Sequence, residues 1–195
     1  NQLCQCACDD GYKWILTLDQ DTICSYNLIS KMLKFIKEPR VGILCPVVQY
    51  EGWENYNSDV DEKNFYTEIK ACMTSASLTN IEAWKNVGGF RNEYFIDYVD
   101  NEFCMKLRLN GYRILRINQA SIRHQLGISN SINILGIIHI NYTRHAPWRF
   151  YYMIRNNRAF ISEYRYSISI IKEFFKLWYI IIKNLMFSNA KKETL

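Results

Sequence analysis

An apolar run that ends abruptly on a pair of acids constrains this chain more than any other feature. Lys13-Trp14-Ile15-Leu16-Thr17-Leu18 has the length and composition of a buried strand, and it stops at Asp19-Gln20-Asp21. Residues 25–37 then place Leu28, Ile29, Met32, Leu33 and Ile36 at helical spacing, and Pro39 ends that helix. A second apolar run follows from Val41 to Val48. Strand, helix and strand in that order predict an α/β domain, in which continuous apolar strands are buried between layers of helix.

The rest of the chain extends this frame. Residues 1–9 read as the end of a helix closed by Asp10-Gly11. Residues 50–64 are polar and turn-prone, with Asp59, Asp61 and Glu62 close together, and are expected as an excursion over the sheet. Ala71 to Leu78 reads as a small-residue strand, Ile81 to Val87 as a short helix stopped by Gly88-Gly89, and Asn101 to Leu109 as a helix stopped by Gly111. Tyr112 to Ile117 alternates as a further strand. Gln125 to Thr143 has no Asp, Glu, Lys or Arg but is interrupted by Asn, Ser and His, which fits a loop and a strand pair better than a membrane span.

Composition narrows the setting. With 49% hydrophobic and 22% charged residues over 195 positions, one sizeable core is expected. Only eight Gly and three Pro, without repeats, argue against a disordered linker or a solenoid. Seven cysteines, an odd number without any CxxC pair, fit a reducing compartment, and Cys4-x-Cys6-x-Cys8 fits free thiols better than a soft-metal site because no fourth ligand stands at a usual spacing.

Charge is uneven. Residues 144–195 hold ten basic and three acidic side chains, whereas residues 1–143 are close to balanced. The expected division is therefore 1–147 as the α/β domain and 148–195 as a helical tail. From Trp148 to Phe187 the pattern is helical, with Ile168, Ile171, Phe174, Phe175, Trp178, Ile181, Ile182 and Leu185 in a wide apolar stripe beside Lys172, Lys176 and Lys183. Its longest unbroken apolar run, Leu177 to Ile182, is too short to cross a bilayer. Two readings stay open: a helix lying in a membrane interface over 160–187, or an amphipathic helix packed on its own domain or a partner. Nucleic acid is disfavoured, since single-strand binders interleave aromatics and charge on a sheet.

Three places could carry chemistry. Asp19 and Asp21 sit at the carboxyl end of a buried strand, where an open α/β sheet receives its ligand, and two hard oxygen donors suit Mg²⁺ or Mn²⁺ bridged to a diphosphate. The same triplet also makes turns in many proteins. In Phe95-Ile96-Asp97-Tyr98-Val99-Asp100-Asn101-Glu102 the acids either support a helix start or leave one carboxylate, Asp100, placed to take a proton from a hydroxyl. His124, after Arg123, is either a structural histidine or a ligand.

Taken together and in order, Trp14 to Thr22, Gly88-Gly89-Phe90, Phe95 to Cys104, Gly111-Tyr112, His124-Gln125-Leu126-Gly127 and Arg149 to Asn156 resemble family 2 glycosyltransferases of the GT-A fold, and within them the rhamnosyltransferase-like branch. The resemblance runs from residue 1 to about residue 160. It implies a Rossmann-like mixed sheet flanked by helices, lacking the family's first strands, with a carboxy-terminal amphipathic helical tail. It also implies that Asp21 and His124 contact a divalent metal, Mn²⁺ or Mg²⁺, and that Asp19 lies near the nucleotide ribose or the metal. Asp100 matches the catalytic base, with Val99 where the family more often has Glu.

Asp97, the Ala71 to Ser77 segment with Ser75 and Ser77, and Arg155 fall by the same resemblance on the side of the nucleotide-sugar, its diphosphate or the acceptor. The implied reaction is inverting transfer of a sugar, such as the deoxyhexose rhamnose, from a nucleoside diphosphate to a polysaccharide or lipid-linked acceptor. The implied place is the cytoplasm, peripheral at the inner face of the cell membrane. The competing expectation is a non-catalytic glycosyltransferase-like binding or assembly module.

Overall fold

The computed structural model describes residues 1–50, 64–124, 129–134, 138–143 and 146–187. The polar excursion expected over 50–64, with Asp59, Asp61 and Glu62, lies almost wholly outside them. The described residues form two compact units, Asn1–Glu93 with Val99–Gln125, and Tyr94–Tyr98 with Leu126–Leu195.

In the first unit, α1 (Gln2–Asp9) leads into β1 (Trp14–Thr17), β2 (Thr22–Cys24), α2 (Leu28–Met32) continued by a 3-10 turn (Leu33–Phe35), and β3 (Val41–Tyr50). β4 (Tyr66–Glu68), β5 (Ser77–Asn80), α3 (Ile81–Asn86), α4 (Val99–Leu109) and β6 (Arg113–His124) complete it. The sheet runs in the order β1-β5-β3-β6-β2, with β4 also on β6. Only β3 and β6 are parallel; the other pairs are antiparallel, so the sheet is mixed.

The central strands explain the layering. Along β3, Ile43 and Cys45 face one cluster while Val41 and Leu44 face another, a change of parity that follows from a register shift between Val41 and Ile43. One face is covered by α1, α3 and α4 through Cys4, Trp84, Phe103 and Leu107; the other packs Leu28 and Met32 of α2 against Leu78, Leu115 and Ile122. Gly42 permits the close approach of α4: a Cβ there would meet the Leu107 side chain and the Tyr112 Cβ at 3.1 Å. The mixed sheet between helices is the α/β, GT-A-type arrangement expected, with helices following it at the carboxyl end.

Several boundaries differ from the expectation. The strand foreseen from Ala71 to Leu78 is confined to Ser77–Asn80. Residues ahead of it turn instead, because Ala76 adopts a left-handed φ of 57° and the Ser77 N–H closes onto the Thr74 carbonyl at 3.2 Å. β6 does not stop at Ile117 but runs on to His124, jumping register against β3 between Pro46 and Val47. α1 buries Cys4 while leaving Cys6 exposed, so those thiols diverge, and all seven cysteines are free.

In the second unit, β7 (Ser129–Ile134) and β8 (Ile138–Thr143) form the expected strand pair. The continuous helix expected from Trp148 to Phe187 is two, α5 (Pro147–Tyr164), opening with Pro in its first turn, and α6 (Ile170–Phe187). The break falls where Ser167 N–H bonds the Tyr164 carbonyl at 2.8 Å, a tight turn in a Ser-Ile-Ser stretch of weak helix formers. Among the described residues no helix is long and apolar enough to cross a membrane.

Candidate active site

The acids after β1 are held by a turn. Thr22 N–H bonds the Asp19 carbonyl at 3.2 Å, and the chain then enters β2, whose pairing with β6 sets Thr22 opposite His124. That register brings a residue from more than a hundred positions away onto the turn. Asp19, Asp21 and His124 each offer one ligand atom, all within 4.8 Å of one another, and they are the one such group among the described residues able to hold a metal. Both aspartates are exposed and the histidine is partly buried. Asp21 Oδ1 lies 3.6 Å from His124 Nδ1.

Two hydroxyls brace this cluster. Ser75, 1% exposed, accepts the Asp19 N–H at 3.0 Å, and its Oγ is 2.7 Å from Thr22 Oγ1. Thr22 Oγ1 is in turn 3.2 Å from His124 Nδ1. The loop that carries Ser75 is pinned to the end of β1: Ala76 N–H reaches the Thr17 carbonyl at 2.6 Å, and Thr17 Oγ1 donates to the Thr74 carbonyl at 2.7 Å. Ser77 Oγ donates to the Met73 carbonyl at 2.7 Å. The hydroxyls of Ser75 and Ser77 are thus turned toward the protein's own groups. Thr22 was missing from the residues singled out by sequence, although a hydroxyl directly after an Asp-x-Asp turn was the available signal.

The donor set tests the metal. Two carboxylate oxygens suit Mg²⁺ or Mn²⁺ equally, while an imidazole nitrogen is a poorer partner for Mg²⁺, so the three together fit Mn²⁺ better.

A separate cleft of about 360 Å³ opens on the α4 side of the sheet. Cys45, Val48 and Tyr50 of β3, Ala71 to Met73, Arg116 of β6 and Asp100 with Asn101 of α4 line it. Asp100 is half-buried in the first turn of α4, where the helix dipole favours a carboxylate. Glu102, expected with it as part of one acidic cluster, is buried and pairs with Lys106 Nζ at 3.3 Å. Cys104 draws the Cys72 thiol of the lining down, but Cys45 and burial push it up and prevail. The Cys104 thiol is held well above the ordinary range by its hydrogen bond with Cys72 and by burial. Asp100 therefore faces a largely uncharged wall, with Arg116 as the cation in the lining.

The other expected site residues belong to the second unit. Asp97 is consumed by Arg149, whose Nε and Nη2 each donate to one carboxylate oxygen at 2.9 Å. Its backbone is left-handed, φ 62°, as is that of Tyr98 at 63°. Asn156, fully buried on α5, donates to the Ile96 and Asp97 carbonyls at 2.8 and 3.0 Å and so holds the turn. Hydrogen bonding to Asp97 raises the Arg149 guanidinium further, against the effect of burial. Arg155 lies 4.8 Å over the Tyr152 ring and 5.9 Å over Tyr151, and donates to Asn156 Oδ1 at 2.9 Å.

An open mixed α/β sheet with acids and an imidazole gathered at strand ends defines a class of domain that binds ligands at the carboxyl edge of its sheet. The family model for glycosyl transferase family 2 matches residues 1–99, a span that includes Asp19, Asp21, Ser75 and Ser77, and the chain belongs to that family. It is also 29% identical over 161 residues to the dTDP-rhamnosyl transferase RfbF of Shigella flexneri, covering 76% of this chain and 53% of that protein. The chain thus spans about half the length of that relative.

Proposed function

We propose that the chain forms part of an inverting, metal-dependent glycosyltransferase that moves a deoxyhexose such as rhamnose from a nucleoside diphosphate to a saccharide or lipid-linked acceptor in polysaccharide synthesis. The observation that carries the reading is the convergence of Asp19, Asp21 and His124 within 4.8 Å at the strand end of a family 2 domain. The deoxyhexose follows from the likeness to a dTDP-rhamnosyl transferase. The two domains of the reading are 1–147, catalytic, and 148–195, a helical tail.

Asp21 and His124 would hold Mn²⁺ or Mg²⁺, with Asp19 turned to the ribose or the metal, and the ion would supply positive charge against the leaving diphosphate. Ser75 and Thr22 keep this donor set ordered without themselves being spent on the ligand. Asp100 takes the proton of the acceptor hydroxyl as it attacks the anomeric carbon. A base is needed because a sugar hydroxyl is a poor nucleophile near neutral pH. The raised Cys72 thiol and the apolar side chains that line the cleft with Asp100 give a wall suited to a deoxy sugar, whose methyl group needs no hydrogen bond.

In a chain extended to the relative's length, Asp100→Asn is expected to lower transfer by about 10²–10⁴-fold while dTDP binding in Mn²⁺ stays within about threefold. Both are measured, by product formation and by calorimetry. Transfer at the parental rate would remove Asp100 from the role of base.

A further inference from the structure

A helix on the surface of a folded domain ordinarily buries its apolar side; α6 leaves a full apolar face exposed. Glu173, Leu177 and Ile180 share the face that is partly covered. There Glu173 accepts the Tyr98 hydroxyl at 3.1 Å, and Tyr98 accepts from Asn157 of α5 at 2.6 Å. Lys176 caps this anchor, 5.2 Å from the centroid of the Tyr98 ring. The opposite face holds Ile171, Phe175, Trp178 and Ile182, one helical turn after another, all exposed, with Phe174 and Tyr179 on its flanks. Phe175 is 66% and Ile171 69% exposed. A contiguous apolar strip of this kind on a water-soluble domain marks a surface that is covered in use.

The charges beside the strip identify what covers it. Lys172 and Lys176 run along one flank, and Arg165, stacked 4.7 Å over the exposed Tyr166 ring, precedes the helix. From residue 165 to the end of the chain there are six basic residues and two acidic ones. Of those acids Glu173 is already engaged by Tyr98 and Lys176. A second copy of the chain would set these cations against themselves. An anionic surface with an apolar interior complements both features at once: apolar side chains enter the acyl boundary, Trp and Tyr sit at the headgroups, and lysines meet phosphate.

We propose that the Ile171, Phe175, Trp178 and Ile182 face of α6 docks in the plane of an anionic lipid bilayer, with Lys172 on the phosphates. This goes beyond membrane proximity to a defined face, a depth of one helix side, and a lipid charge preference. It stands on α6 alone, independent of nucleotide binding at Asp21, which is measured separately.

The test is flotation of chain 1–195 with vesicles of phosphatidylcholine alone or mixed equally with phosphatidylglycerol. Binding to the anionic vesicles and not the neutral ones is expected, falling at least about tenfold in the combined variant Ile171→Ser, Phe175→Ser, Trp178→Ser. Lys172→Gln should weaken it about fivefold. Trp178→Phe, which keeps the apolar face, should still float but lose quenching of tryptophan emission by bromine-labelled lipid. Circular dichroism confirms that each variant is folded. Three outcomes would overturn the proposal: no flotation by the folded chain, flotation unchanged in the triple variant, or a dimer in solution that the same variant dissociates.

Discussion

Two turns that carry acids are built in opposite ways. After β1, Asp19 and Asp21 are exposed, near each other and near an imidazole, and the hydrogen bonds that position them are made by backbone and by the Ser75 and Thr22 hydroxyls. At residues 94–98, Asp97 spends both carboxylate oxygens on Arg149, and the carbonyls of the turn are taken by Asn156. The first cluster holds its carboxylates in place without using them up. The second uses its carboxylate to hold a backbone that would otherwise relax, since two successive left-handed residues with side chains cost roughly 1 kcal/mol each or more. In the proposed site the acids are supported from behind; in the turn at 94–98 the acid is itself the support.

If that contrast is right, substitutions in the two clusters separate binding from stability. The largest effect is expected for Asp21→Ala: Mn²⁺-dependent binding of a nucleoside diphosphate should fall by at least about 100-fold. Calorimetry with dTDP, UDP and GDP, each with and without Mn²⁺, measures it. Retention of metal-dependent binding would break the contrast at once. Next is Arg149→Met, which strands a largely buried carboxylate and is expected to cost about 2–3 kcal/mol in urea unfolding. Asn156→Ala removes the donor to two carbonyls, for about 2 kcal/mol, part of it recoverable by water. A loss below about 0.5 kcal/mol for either would mean that the left-handed turn does not depend on α5.

Much of this architecture was readable beforehand, and the parts that were not share a cause. Long apolar runs identified β1 and β3, and helical spacing with glycine stops identified α3 and α4, because burial of a continuous face dominates local choice there. β2 and β4 have three residues each, too few for any period to show. Ala71 to Ser75, mostly small residues around Met73, suit a strand or a turn alike; the outcome hangs on Ala76 and Thr17 meeting across the end of β1, a contact between distant positions. His124 looked isolated because the strand leading to it jumps register by skipping residues 118–120 against β3. The candidate site residues Asp19, Asp21 and His124 were each legible singly, yet their convergence rests on the β2 and β6 register. Asp97 was read with Asp100, since sequence distance says nothing about a carboxylate's partner.

The smallest effect is the most discriminating. Asp21→Ala, which should abolish metal-dependent binding, should leave the stability of the metal-free chain unchanged or raise it by up to about 0.5 kcal/mol. Two exposed carboxylates with oxygens within 4.8 Å repel each other, by under about 1 kcal/mol in water and less in salt. The favourable contact in return is His124 at 3.6 Å, which attracts only when the imidazole is charged. Repulsion between the carboxylates should prevail; urea unfolding without metal at 20 mM and 500 mM salt would show a small gain that fades as salt rises. Adding Mn²⁺ should then stabilise the parent and not the variant, by mass action on the folded state. A variant that is less stable without metal would mean that Asp21 supports the turn as Asp97 does, and the division between acids that wait and acids that hold would fail at its clearest example.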